Sequence, residues 1–495
     1  MKKLSVLLTI ITLLFSLLTI SCEKDKPIDP KSQALLVSQF VYDGMSNFYL
    51  WADEVTNKKP KATDVDPEKY FYSILNATDT KHGWSWITDD VDDLLKGFQG
   101  ESTDAFGFQP LPLYTDEART TIVGFIRYVY PETPAAEAGL KRGEVIIKIN
   151  GKTLNNNNYM GLFGANSETT FTVLDQKFEN PREVKVTPAK QLNTDPVLYS
   201  NVYEIDGKKI GYLFYTGFIE NYNNSLYRVF SEFKTAGITD LVLDLRYNPG
   251  GGISAATYLA SLIAPQANVS NKDPFTIMSY NQYVNKAFDD NKWDRKDYLG
   301  DYDNTKYQNP LTANLNLNKV YVIATGSSAS ASELLTFCLK PYMQVEHIGE
   351  KTSGKYTASW TIHAYDNFEG RVQPVYKESS LSATEKNKLK NWAMQPIVGR
   401  YTDKNNKDFI ATNGLIPDHA IKTQEYNTET WKPIGDVNDY LFAKAISLIT
   451  GKPYETALRS SDDKQFKDAG LYPQIESVTR QAVIIDNPKL LPPLK

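Results

Sequence analysis

The 495-residue sequence is poor in the residues that most often hold metals, with only four His and two Cys. No two His stand at a metal-binding spacing, so an enzyme built on imidazole ligands would need most of them. Positive charge is not in excess either. Lys and Arg number 54 against 59 Asp and Glu, a net charge of −5, whereas nucleic-acid binding wants a basic face. The two Cys are Cys22 and Cys338. Cys338 sits in the apolar stretch Leu334–Leu339 and reads as a core residue rather than a nucleophile. Hydrophobic residues at 41% and charged residues at 23% are ordinary for a globular chain. The length gives a prior of about three domains.

The N-terminus is the first positive signal. Lys2 and Lys3 precede an uncharged apolar run from Leu4 to Ile20, and Ser21-Cys22 is followed by Glu23-Lys24-Asp25-Lys26. This is the pattern of a secretory signal over 1–21, and the run falls just short of the ~20 residues that span a bilayer. Up to Cys22 it resembles a bacterial lipoprotein signal, with Thr19 where such signals usually carry Leu. The resemblance implies that Cys22 is lipidated and that the chain is exported, anchored to a membrane and facing the periplasm or the cell surface. With Cys22 so used, no disulfide is possible.

Residues 22–33 read as a tether. A mainly helical pattern with interspersed aromatics covers 34–103, and its chemistry is silent. Between 104 and 190 the texture becomes β-rich. Val123–Val129 alternates like a strand, Thr133-Pro134 starts a short helix, and Val145–Ile149 is a strand closed by the tight-turn pair Asn150-Gly151. From 191 to 455 strands and helices alternate, as in an α/β domain, with Leu241–Leu245 and Val320–Ala324 reading as buried parallel strands. Residues 456–495 carry no readable motif.

Three segments could carry chemistry. In Asp244-Leu245-Arg246-Tyr247-Asn248-Pro249-Gly250-Gly251-Gly252, glycines after a strand let backbone N–H groups face a cavity, where they can hold a developing oxyanion; the other reading is a tight strand-to-helix turn. In Gly326-Ser327-Ser328-Ala329-Ser330-Ala331-Ser332-Glu333, small residues open an apolar helix whose electropositive end favours an oxygen nucleophile. The same residues also fit a capping box, with Ser330 as cap and Glu333 reaching back. In Ile348-Gly349-Glu350-Lys351-Thr352-Ser353-Gly354-Lys355, a loop delivers Lys355. A Lys kept from water beside a Ser becomes neutral near pH 7 and can take the Ser proton.

These segments, with Phe106-Gly107-Phe108, the run from Pro134 to Glu144, Asn150-Gly151 and Asn413–Asp418, occur in the order found in one family. The chain resembles the carboxyl-terminal processing peptidases, or tail-specific proteases, over about 104–420. The resemblance implies a multidomain α/β protein: a helical N-terminal domain, a PDZ-like β-rich domain and a crotonase-like α/β peptidase core. It implies Ser330 as nucleophile and Lys355, 25 positions later, as base. The implied oxyanion donors are the backbone N–H groups of Ala331 and of a glycine in the pair Gly250-Gly251. Phe106-Gly107-Phe108 would catch the free C-terminus of a polypeptide substrate, and the substrate tail would add as a strand to the module's edge. No cofactor or metal is implied, and oligomeric state is left open. One departure stands out: many members carry Gln four residues after the Lys, and this chain has Ser359, which becomes the candidate orienting group. A tail-binding scaffold with little or no hydrolysis is the rival expectation. An acyl-CoA-type enzyme of related architecture would leave the PDZ-like segment without a purpose.

Overall fold

The computed structural model describes residues 30–453 and 483–494, apart from 117, 369–371, 423–426 and 487. The signal segment, Cys22 and most of the tether lie outside the described residues. The helix Pro30–Phe48 begins inside the stretch expected to be tether. Among the described residues no helix is long and apolar enough to cross a membrane.

The fold is mixed α/β in three parts. The N-terminal part is helical (Pro30–Phe48, Pro67–Ser73, Ala77–His82, Val91–Phe98), with one strand, Trp86–Thr88. That strand pairs with Ala393–Gln395 of the peptidase part, and Phe40, Phe48 and Phe71 belong to the same hydrophobic core as Leu243 and Leu334. The N-terminal helices are therefore built onto the α/β core and roof one side of it.

The middle part is an antiparallel sheet in the order Phe108–Tyr114, Ile122–Val129, Val145–Ile149, Thr169–Leu174, Arg182–Val186. The local signals operate as read. Thr133 caps the short helix and Pro134 opens it. Asn150 and Gly151 both have positive φ, 50° and 75°, as a tight hairpin turn requires. The side chains of Phe106, Phe108 and Phe171 pack together in this part's own core.

The third part holds two six-stranded sheets. In the first, Lys208–Tyr215, Asp240–Asp244, Lys319–Ala324, Gln344–Gly349 and His419–Ala420 run parallel, with Val197–Ile205 antiparallel at one edge. Leu241 to Leu245 are fully buried, which explains the uninterrupted apolar run. The candidate loops follow the C-terminal ends of its central strands, where α/β sheets place their ligands. In the second sheet the order is Gly251–Gly252, Val483–Ile484, Thr357–Ser359, Ile397–Thr402, Pro274–Tyr280, Lys296–Tyr298. The C-terminal stretch that carries no motif thus supplies an inner strand of a peptidase sheet.

Candidate active site

The strand Asp240–Asp244 feeds a loop fixed by a buried ion triad. Arg246 is 1% exposed and forks onto Asp244 and Asp439, with Nη2–oxygen distances of 2.7 Å to each. Asp439 also caps the helix Tyr440–Thr450, so the loop is tied to a helix from far along the chain. Asn248 then links two loops. Its side chain donates to Tyr215 O (2.9 Å) and accepts the Gly250 N–H (2.9 Å). Its carbonyl accepts from the Ala329 N–H (3.2 Å) and the Ser332 hydroxyl (2.9 Å).

Ser330 immediately precedes the helix Ala331–Leu339. Its backbone has φ 64° and ψ −115°, a region that side-chain-bearing residues avoid and that marks a held, strained position. Its Oγ is buried and makes no hydrogen bond, so the hydroxyl does not cap the helix. Only the other half of the capping box is made, the Ser330 N–H donating to Glu333 Oε2 at 2.7 Å. Ala331 opens the helix, so its N–H has no partner inside the helix. Gly250 lies against both residues: a Cβ there would stand 2.6 Å from Ser330 Cβ and 2.9 Å from Ala331 N.

Lys355 is brought to the same place. The Glu333 carboxylate that holds the Ser330 N–H also accepts from the Lys355 N–H (2.8 Å) and the Gly354 N–H (2.7 Å), and binds the Thr352 hydroxyl. The Tyr401 hydroxyl meets Lys355 O at 2.9 Å and Ser330 O at 3.3 Å. One carboxylate and one phenol therefore bind the backbones of both residues. Burial pushes the Glu333 carboxyl up, against the pull of those donors. Lys355 is fully buried, and loss of solvation brings its amine down to about 7, opposed by the nearby Asp79 and Glu333 carboxylates. Asp79 belongs to the N-terminal helices. It is buried and accepts from the Tyr49 hydroxyl (2.7 Å) and the Ser85 N–H (2.9 Å). Among the described residues no group of His, Cys, Asp and Glu is placed to hold a metal ion.

A family model for Peptidase family S41 matches residues 209–421, one for the Peptidase S41 N-terminal domain matches 37–86, and one for the PDZ domain matches 125–158. The chain thus has a peptidase core of family S41, with the S41 N-terminal domain and a PDZ domain. Its relatives include a carboxyl-terminal-processing protease of Picosynechococcus, 28% identical over 65% of this chain and 65% of that one. A CtpA-like serine protease of Staphylococcus aureus is 25% identical over 61% of this chain and 52% of that one. The chain thus spans less than two thirds of either relative's length. A crystal structure of a protein assigned to the S41 proteases, from Bacteroides fragilis, superposes with a TM-score of 0.63 at 25% identity, covering 83% of this chain and 97% of that one.

The geometry revises three expectations. Ser359 Oγ is buried without a hydrogen-bond partner, so it makes no hydrogen bond to Lys355; Asp79 and Glu333 are among the groups that act on the amine. In the glycine pair, Gly250 has given its N–H to Asn248. Gly251 is the remaining candidate of the pair, and in this structure it is paired with Val483. Its φ of 136° and the 2.2 Å separation of a Cβ there from Phe218 O admit only glycine.

The third correction concerns the PDZ domain. Phe106 and Phe108 are 1% and 9% exposed, so only their backbone could meet a ligand. The strand Phe108–Tyr114, which follows directly, is one of the two edges of the sheet. Ile126 is turned away from this strand, its N–H donating to Glu144 O (2.9 Å) and its carbonyl accepting from the Gly143 N–H (2.8 Å). Its register partner Pro110 therefore faces outward, and so does Pro112 two residues on. Two of the outward positions have no N–H to give, so the ladder an extended tail could form along this edge is interrupted at Pro110 and Pro112.

Sequence reading missed Asp79, Tyr401 and the clamp by Glu333. Glu333 alone carried a signal, its place three residues after Ser330, but it pointed to a cap rather than to Lys355.

Proposed function

We propose that this chain is a serine endopeptidase that hydrolyses polypeptides through a Ser330–Lys355 pair. The observation that carries the reading is a lysine amine shielded from water and brought to about 7, on a backbone clamped by Glu333 to that of a strained serine at a helix start. Neutral Lys355 takes the Ser330 hydroxyl proton as Oγ bonds to the substrate carbonyl carbon. The N–H groups of Ala331 and Gly251 stabilise the oxygen that gains charge. The resulting ammonium gives its proton to the leaving amine, and the C–N bond breaks. Water then loses a proton to Lys355, attacks the acyl-enzyme, and Ser330 recovers its hydrogen. Ser330 Oγ makes no hydrogen bond in this structure, so a side-chain rotation precedes the transfer; such contacts often tighten only with substrate bound.

The Phe106-Gly107-Phe108 backbone is proposed to catch a terminal carboxylate. With Pro110 and Pro112 on the edge, capture is confined to the end of the tail. Lipidation at Cys22 and an exported, membrane-anchored location complete the proposal and rest on residues 1–22. Radiolabelled palmitate taken up by the wild type and not by Cys22→Ala would support them.

Ser330→Ala and Lys355→Ala should each abolish cleavage of an unfolded protein with a nonpolar tail while leaving the fold intact. Full activity in either variant ends the assignment. Tail binding by wild type with no hydrolysis would favour the scaffold reading.

A further inference from the structure

The strand Val483–Ile484 comes from the motif-free end of the sequence, yet it lies inside the candidate cleft. It runs parallel to two strands at once. Val483 and Ile484 stand opposite Gly251 and Gly252 on one side and opposite Ala358 and Ser359 on the other. Those flanking strands start one residue after Gly250 and two residues after Lys355. Without the tail they would be two facing edges with the nucleophile between them.

The edge that the tail covers is the one the chemistry needs. Gly250 O accepts the Phe218 N–H (2.9 Å), and the Gly252 N–H donates to Phe218 O (2.8 Å). Backbone groups alternate sides along a strand, so Gly251 turns its own N–H and C=O toward the tail. Ser330 and Lys355 are both 0% exposed with the slot filled.

The tail's anchors are mostly backbone and polar. The Ile485 N–H donates to Ser359 O at 3.1 Å. Asp486 takes the N–H (3.2 Å) and the hydroxyl of Ser254. Leu491 exchanges two hydrogen bonds with the Gln373 side chain (2.8 and 3.1 Å), and the Leu494 N–H reaches Val375 O at 2.8 Å. Backbone pairing of this kind fits any extended chain, and the occupant's buried Ile484 indicates tolerance of a β-branched apolar residue. A cavity of about 1050 Å³ adjoins the strand, with Phe218, Gly251, Tyr365 and Asp486 in its wall.

We infer that the slot between Gly251–Gly252 and Thr357–Ser359 is a binding site for an extended apolar peptide, and that residues 483–486 are its resident occupant, displaced by substrate. The inference rests on the peptidase reading for its consequence and on the sheet pairing for its geometry.

The test uses the full chain carrying Ile485→Pro, which loses the N–H given to Ser359 and sets a ring against that carbonyl. Two readouts are taken: the rate at which a fluorophosphonate modifies Ser330, and binding of a fluorescent synthetic peptide of residues 481–495. The variant should be modified about tenfold faster, the effect of losing one buried backbone bond, and should bind the peptide where the wild type does not. A variant with the wild-type circular dichroism and melting temperature, modified no faster and binding no peptide, overturns the inference. Should Ile485→Pro fail to fold, Asp486→Ala, which releases Ser254, decides by the same two readouts. Peptide binding needs no hydrolysis. A variant that binds peptide yet is never modified or active retains the slot and removes the peptidase reading. Equal cleavage rates in variant and wild type remove the occupant and retain the peptidase.

Discussion

Replacing Lys355 by Met keeps the volume of the side chain and deletes its titration, which makes the cost of the buried amine measurable. The amine drops from its ordinary 10.5 to about 7 because burial disfavours the ammonium. At about 1.4 kcal/mol per pH unit, that displacement corresponds to about 5 kcal/mol. The direction with pH follows from proton counting. Unfolded Lys355 keeps its proton up to about 10.4, whereas the folded chain releases it near 7. Between those values the unfolded state binds one more proton, so this group makes wild-type stability rise with pH by about 1.4 kcal/mol per unit. Lys355→Met lacks that slope. Urea unfolding of both proteins, followed by tryptophan fluorescence from pH 6 to 10, should show the variant's advantage shrinking by about 4 kcal/mol between pH 7 and 10. Parallel curves would refute a neutral, buried Lys355, and with it the base of the proposed mechanism.

Asp79→Asn removes a carboxylate that favours the ammonium, so the rising limb of kcat/KM against pH should move to lower pH; a limb that stays in place would separate Asp79 from the base. Glu333→Gln leaves one acceptor oxygen for four donors (Ser330, Gly354 and Lys355 N–H and the Thr352 hydroxyl). It should cost about 3 kcal/mol of stability and about a hundredfold in kcat, read by urea unfolding and peptide hydrolysis. Pro110→Ala and Pro112→Ala restore outward N–H groups on the PDZ edge and should each tighten binding of a free-carboxyl tail peptide about fivefold. Unchanged affinity by fluorescence polarisation would mean that tails bind elsewhere.

What could be read from the sequence is what lies in short contiguous runs. The glycine loop, the serine-rich helix start and Gly354-Lys355 each keep their geometry within about ten residues, and their order carried the family. Asn150-Gly151 and Thr133-Pro134 likewise act locally. The rest depends on distant segments meeting. Asp79 reaches Lys355 only because the N-terminal helices share the α/β core, and nothing in Thr78-Asp79-Thr80 marks it. Residues 483–486 have no pattern beyond a short apolar run, and their place comes from edges made elsewhere. Pro110 and Pro112 were visible as residues, but which way their missing N–H would point depends on the pairing with Ile126. Ser359 failed as an orienting group for the same reason: its position after Lys355 was known, the direction of its hydroxyl was not.

The most direct test of the central claim is to treat the full chain with a fluorophosphonate across pH 5 to 9 and locate the adduct by peptide mass mapping. Modification is expected at Ser330, with a rate that rises through about pH 7 and is lost in Lys355→Met. An adduct on another serine, or a Ser330 rate indifferent to Lys355→Met, would contradict it.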